Sequence, residues 1–71
     1  MRFLITGAAG FLGAPLANSL VRDGHSVVGL DDLSTGDPNN LDEAVYLVRG
    51  DINDRPNLWS LLQDVDCVYH L

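Results

Sequence analysis

A glycine-rich turn between an apolar run and an amphipathic stretch constrains this chain more than any other feature. The run is Phe3-Leu4-Ile5, and the turn reads Thr6-Gly7-Ala8-Ala9-Gly10-Phe11-Leu12-Gly13. A short buried strand that ends in such a turn leads directly into a helix. Glycines let a ligand approach the backbone closely. The N–H groups of the first helical turn have no partner inside the helix, and the helix dipole favours negative charge there. Residues 1–13 therefore point to a nucleotide cofactor held by its phosphates.

The rest of the chain alternates in the same way. Residues 2–6 are predicted as a buried strand and residues 11–23 as a helix. Leu12, Leu16 and Leu20 lie four apart, and Ala17 and Val21 widen the stripe. Pro15 falls near the first turn, where proline is tolerated, and Gly24 ends the helix at the C′ position. Ser26-Val27-Val28-Gly29-Leu30 is predicted as the second strand, closed by Asp31-Asp32. Residues 34–40 are rich in turn formers, with Asp37 as N-cap and Pro38 at N1 of a short helix. Val45-Tyr46-Leu47-Val48 is predicted as the third strand, stopped by Gly50-Asp51. Asn53 or Asp54 then caps a helix with Pro56 in its first turn and Leu58, Leu61 and Leu62 buried. Residues 65–71 are predicted as the fourth strand.

The order β-α-β-(α)-β-α-β predicts an α/β fold. It is a Rossmann-type parallel sheet with helices on both faces and strand order 3-2-1-4. Only the first half of such a sheet is present. The expectation is that residues 1–71 are the amino-terminal part of one dinucleotide-binding domain from a longer protein. A stop codon directly after Leu71, with a stably folded product, would defeat it. There is no internal repeat, linker or low-complexity tract.

Composition removes other classes. A domain of this length hides only roughly 60% of the surface its unfolded chain exposes, so its stability margin is thin. A formal net charge of −6 argues against non-specific binding to nucleic acid or an anionic membrane. The cations are Arg2, Arg22, Arg49 and Arg55, with no lysine. A GxxxxGK[ST] phosphate loop is therefore impossible, as is a catalytic lysine within these residues. Cys67 is the only cysteine, which excludes an internal disulfide and a cysteine-based zinc cluster. No cluster of histidine and acid has metal-ligand spacing, so no metal site is expected. No run reaches the length of a membrane span, and Met1 leads into a strand without a signal-peptide core, so the expected location is cytoplasmic.

Gly7, Gly10 and Gly13 are spaced G-x-x-G-x-x-G, one residue longer in the first gap than the commonest dinucleotide fingerprint. Gly7 allows the tight turn off the strand. Gly10 lets a pyrophosphate approach, and Gly13 lets the helix pack closely on the sheet. Small residues at a strand–helix junction can also serve packing alone. Asp31 makes the pattern specific. It follows Gly13 by 18 residues, at the carboxyl end of the second strand, where an acid can accept from the adenosine ribose hydroxyls. Its charge would repel a 2′-phosphate. Neither Asp32 nor any nearby arginine offers a phosphate partner, so NAD is preferred over NADP. Asp51-Ile52 follows the third strand, where the carboxylate can accept from the adenine amine and Ile52 can pack on the ring. A strand-ending turn with a core isoleucine accounts for that pair equally well. His25 is read as a turn residue, His70 as a satisfied core histidine and Cys67 as a small buried hydrophobe. Tyr46 and Tyr69 are read as sheet residues. Trp59 packs on a helix or exposes one face, and Asp42-Glu43 is a solvated turn.

These pieces, with Asp31-Asp32-Leu33-Ser34-Thr35-Gly36, Gly50-Asp51-Ile52 and Val68-Tyr69-His70-Leu71, resemble the amino-terminal quarter of extended short-chain dehydrogenase/reductases. That is the NAD-dependent sugar epimerase/dehydratase family, and the second piece is most similar to nucleotide-sugar 4-epimerases. The G-x-x-G-x-x-G spacing is the family's own form. The resemblance implies that Gly7, Gly10, Phe11, Leu12 and Gly13 line the pyrophosphate. It implies that Asp31 holds the ribose, with Asp32, Ser34, Thr35 and Gly36 in the loop around the adenosine. Asp51 and Ile52 would flank adenine, and Leu71 would begin the segment beneath the cofactor. Asp32 departs from the asparagine usual in the epimerases. The family's Tyr-x-x-x-Lys acid/base pair is not in these residues, nor is the sugar-binding domain, so no catalytic residue is assigned. The implied activity is transient oxidation and re-reduction of a sugar carbon by NAD. The alternatives are a dehydratase, decarboxylase or reductase of the same family, or a non-catalytic dinucleotide sensor. A nucleotide-sugar is the implied substrate, and a homodimer is admitted for the full-length protein.

Overall fold

A computed structural model describes residues 1–71. Its elements are strand β1 (Arg2–Thr6), helix α1 (Gly13–Arg22), β2 (Ser26–Asp31), a single 3-10 turn (Pro38–Asn40), β3 (Tyr46–Arg49), helix α2 (Arg55–Leu61) and β4 (Cys67–His70). The four strands form one parallel sheet in the order β3-β2-β1-β4, as predicted. Each parallel neighbour needs a crossover, and right-handed crossovers put α1 and α2 on opposite faces.

The two faces divide the core. Ile5, Ala8, Ala17, Val27 and Val45 pack together, with Leu16, Leu20 and Val21 of α1 over them. Leu4, Val28 and Leu30 form the other layer, covered by Leu58, Leu61, Leu62 and Val65. Leu4 and Ile5 are neighbours in sequence and point to opposite layers, as the period of a strand demands. Both are fully buried, each worth about 1.5–3 kcal/mol in transfer free energy. The second layer is thinner. Leu58, Leu61 and Leu62 of the short helix α2 and the turn after it are only half-buried.

Helix α1 begins at Gly13 rather than residue 11. Gly10 N–H closes a turn on the Gly7 carbonyl, and the first helical bond runs from Ala14 N–H to the Gly10 carbonyl. The other end matches the sequence reading. Gly24 takes φ 90°, its N–H donates to Val21, and the His25 N–H donates to Leu20. Those two bonds satisfy the last carbonyls in the Schellman pattern. Asp37 caps the 3-10 turn and Asp54 caps α2. β3 is shifted by one residue, because Val45 N–H closes a turn on Asp42 and pairing starts at Tyr46 opposite Val28. β4 is shorter than expected. Val65 N–H still bonds back to Leu62, and Asp66 joins the sheet edge through Arg2 before strand pairing begins at Cys67. Cys67 is half-buried and His70 is exposed, where the sequence predicts a buried residue at each position.

Candidate dinucleotide site

The order β3-β2-β1-β4 places consecutive connections on opposite sides of β1. Such a switch leaves a crevice outside the carboxyl ends of the strands. In this chain those ends are Thr6, Asp31, Arg49 and His70. A cleft of about 160 Å³ lies there, lined by Thr6, Gly7, Leu30, Asp31, Asp32, Gly50, Asp51, Ile52, His70 and Leu71. Enclosed drug-sized sites run to ~300–1,000 Å³. A larger ligand would extend beyond it.

The glycine turn forms one wall. Gly7 has φ 69°, a backbone conformation that a side chain would strain. Its N–H donates to the Leu30 carbonyl at 2.8 Å, which pins the turn to the end of β2. Beyond it, the N–H groups of Phe11, Leu12 and Gly13 find no acceptor in the chain, and Leu12 caps α1 without a side-chain bond. They are open donors at a helix N-terminus, suited to an anion. The side chains of Phe11 and Leu12 are 93% and 67% exposed, so they leave the backbone accessible. Gly13 is different. It is buried, and a Cβ there would meet the Gly7 carbonyl oxygen at 2.2 Å and the Ala8 Cα at 2.8 Å. Gly13 lets the helix close on the turn and does not itself face the cleft.

Asp31 ends β2 with both oxygens engaged. Oδ2 accepts from Ala9 N–H at 2.9 Å and Oδ1 from Leu33 N–H at 2.8 Å. Each carboxylate oxygen has a further lone pair, so two ribose hydroxyls remain acceptable partners. Asp32 accepts from the Ser34 N–H at 3.0 Å and its hydroxyl at 2.8 Å. These bonds, led by the Ser34 N–H, hold the Asp32 carboxyl below the ordinary aspartate value of 3.8, and Arg49 pulls the same way. A lowered folded-state pKa means that the loop stabilisation is complete above 3.8 and is lost as pH falls through that lower pKa. The Ser34 amide resonance is expected to titrate with a midpoint below 3.8, and a midpoint at or above it would contradict the contact.

On the remaining wall, Asp51 Oδ1 accepts from Asn53 N–H at 2.8 Å, and Ile52 packs on the Leu4 layer. Thr6 Oγ1 lies 2.7 Å from His70 Nδ1 and accepts from Leu71 N–H at 3.3 Å.

Of the residues expected to serve the site, Gly7, Asp31, Asp32, Asp51, Ile52 and Leu71 line this one cleft. Gly10 and Phe11 line a separate groove over α1, beside Ala14, Pro15, Asn18 and Asn40. Leu12 stands exposed at the helix start, Ser34 folds back on Asp32, Thr35 is exposed, and Gly36 backs onto Ala9. Thr6, Leu30, Gly50 and His70 also line the cleft, though the sequence assigns them no part in it. The rule that crevices form at strand carboxyl ends would have found Thr6 and His70. Arg49 is the register partner of Asp31 across β2 and β3, remote in sequence and adjacent in the sheet.

Comparison with known proteins agrees with this geometry. A UDP-glucose 4-epimerase of Mycolicibacterium smegmatis is 46% identical over 78 residues, which is 100% of this chain and 25% of the relative. A UDP-glucose 4-epimerase of Thermotoga maritima, solved with UDP-glucose, superposes with a TM-score of 0.95 at 30% identity, over 100% of this chain and 24% of that one. A UDP-glucose 4-epimerase of Thermus thermophilus in complex with NAD superposes at 0.85 with 33% identity, over 99% of this chain and 23% of that one. The chain thus spans about a quarter of the length of these relatives. Residues 3–71 match the family described as NAD dependent epimerase/dehydratase, and the chain belongs to that family.

Proposed function

We propose that this chain is the NAD-holding part of a longer nucleotide-sugar epimerase. The observation that carries it is the meeting of the open glycine turn with the Asp31 carboxylate through one bond, Ala9 N–H to Oδ2 at 2.9 Å. A phosphate cradle and a ribose acceptor are thereby held at a fixed spacing. The residues fit the cofactor. Gly7, Gly10, Phe11, Leu12 and Gly13 shape and supply the cradle for the pyrophosphate, with donors from residues 11–13. Asp31 accepts from the adenosine ribose, inside a loop formed by Asp32, Ser34, Thr35 and Gly36. Asp51 and Ile52 flank the adenine. Leu71 leads from β4 beneath the cofactor.

Bound NAD would supply the hydride chemistry at the sugar carbon. The task of these residues is to bind and orient. The carboxylates on the adenosine side accept hydrogen bonds and keep a second phosphate away. The apolar floor of Leu30 and Ile52 excludes water from one face. The acid/base pair that moves the hydroxyl proton lies outside residues 1–71, which contain no lysine.

The test uses the full-length protein with UDP-glucose and NAD. The expected result is C4 inversion to the galactose epimer with no net NADH. Water loss, carbon dioxide release or stoichiometric NADH would assign another reaction of the family, and absence of NAD binding would remove the enzyme reading. Residues 1–71 alone are expected to show no turnover.

A further inference from the structure

We propose that Asn18 is a positioning residue for NAD binding: its carboxamide clamps the β2–β3 connection onto α1 and so fixes the shape of the glycine turn. The inference rests on the NAD-binding reading above. Asn18 stands on the second turn of α1, outside the cofactor cleft. Its Nδ2 donates to the Asn40 carbonyl at 2.9 Å and its Oδ1 accepts from Asp42 N–H at 2.7 Å. One amide thus uses a donor and an acceptor on backbone groups two residues apart, a demand that only one orientation of asparagine meets. No other side chain of α1 bonds to this connection.

The segment that Asn18 holds is a short stiff bar. Asp37 caps the 3-10 turn by accepting from Asn39 N–H at 2.9 Å, and Leu41 N–H returns to Pro38. The near end of the bar touches the glycine turn, where Asp37 N–H donates to the Ala9 carbonyl at 3.1 Å. Ala9 is therefore gripped twice: its N–H by Asp31 and its carbonyl by the bar. Asn18 anchors the far end. Without that anchor the bar pivots on Ala9, and the N–H groups of residues 11–13 lose a fixed aim. Asn18 lies outside the Asp31 cleft but in the groove that Gly10 and Phe11 also line, and its amide nitrogen and oxygen are both committed to the connection, so it acts through backbone position.

The test places Asn18→Leu and Asn18→Asp in the full-length protein. NAD affinity is measured on the apo-protein, turnover at saturating NAD, and hydrogen exchange at the Asp42 amide. Asn18→Leu is expected to weaken NAD about fivefold and speed Asp42 exchange, with turnover at saturation within about twofold. Asn18→Asp keeps the acceptor for Asp42 and loses the donor to Asn40. Its NAD affinity is expected to be weak near neutral pH and to recover as the introduced carboxyl protonates, since the acid form donates to the Asn40 carbonyl. A merely structural role would not produce that pH profile. If the wild type binds NAD and both variants bind equally tightly at every pH, the role of Asn18 is overturned and the functional reading stands. If the wild type binds no NAD, both are overturned.

Discussion

Gly13→Ala is expected to destabilise the protein by about 3 kcal/mol or more and to abolish NAD binding. The added methyl would sit 2.2 Å from the Gly7 carbonyl oxygen, 2.8 Å from the Ala8 Cα and 2.9 Å from the Gly7 carbonyl carbon. All three are backbone atoms, so no flexible side chain can give way. Relief requires either α1 to lift from the sheet or the turn to open. Lifting α1 exposes Ala17, Leu16 and Leu20, which seal the Ile5 layer. Opening the turn breaks the Gly7 N–H bond to Leu30 and re-aims the open donors of residues 11–13. Either route damages both stability and the cradle.

Gly10→Ala separates the two effects. A Cβ at residue 10 meets only the Gly7 carbonyl oxygen, at 3.3 Å, a contact that a small shift relieves. Its expected stability loss is about 1 kcal/mol or less. Its expected effect on NAD is large, because in the proposed binding mode the methyl would stand where the pyrophosphate approaches. Denaturant midpoints and NAD titrations of both variants form the check. A Gly13→Ala midpoint within experimental error of the wild type would refute the packing role.

The architecture was legible because period and punctuation agree. Strand-length apolar runs alternate with a leucine stripe, and each boundary carries a residue with a local reason to be there, such as Gly24, Asp37 and Asp54. What the sequence hid is lateral. Arg49 beside Asp31 and Asn18 beneath Asn40 are neighbours by register and by packing, and neither pair has a spacing signature. Thr6 and His70 are alike in this respect, since β1 and β4 meet only in the folded sheet.

Arg49 sharpens the second large effect, a change of cofactor preference. Asp31→Asn is expected to weaken NAD about 10- to 100-fold, the loss of a charge-assisted hydrogen bond of about 1.5–3 kcal/mol. Part of that loss is indirect. Asp31 also holds Ala9 N–H and Leu33 N–H, and Leu33 sits at φ 62°, a conformation that this side chain resists without the bond. The indirect part falls on NAD and NADP alike, so the informative quantity is the ratio of their dissociation constants. In the wild type the Asp31 charge would repel a 2′-phosphate. In the variant that repulsion is gone, while Arg49 stays on the adjacent strand end as the register partner of residue 31. The NADP-to-NAD ratio is therefore expected to move toward NADP by more than tenfold, on the order of 1.4 kcal/mol or above. Adding Arg49→Gln to Asp31→Asn removes the cation and should return a share of that shift. Equal losses for the two cofactors would mean that Asp31 shapes the turn without touching the ribose. A shift that survives Arg49→Gln in full would leave Asp31 as the sole determinant.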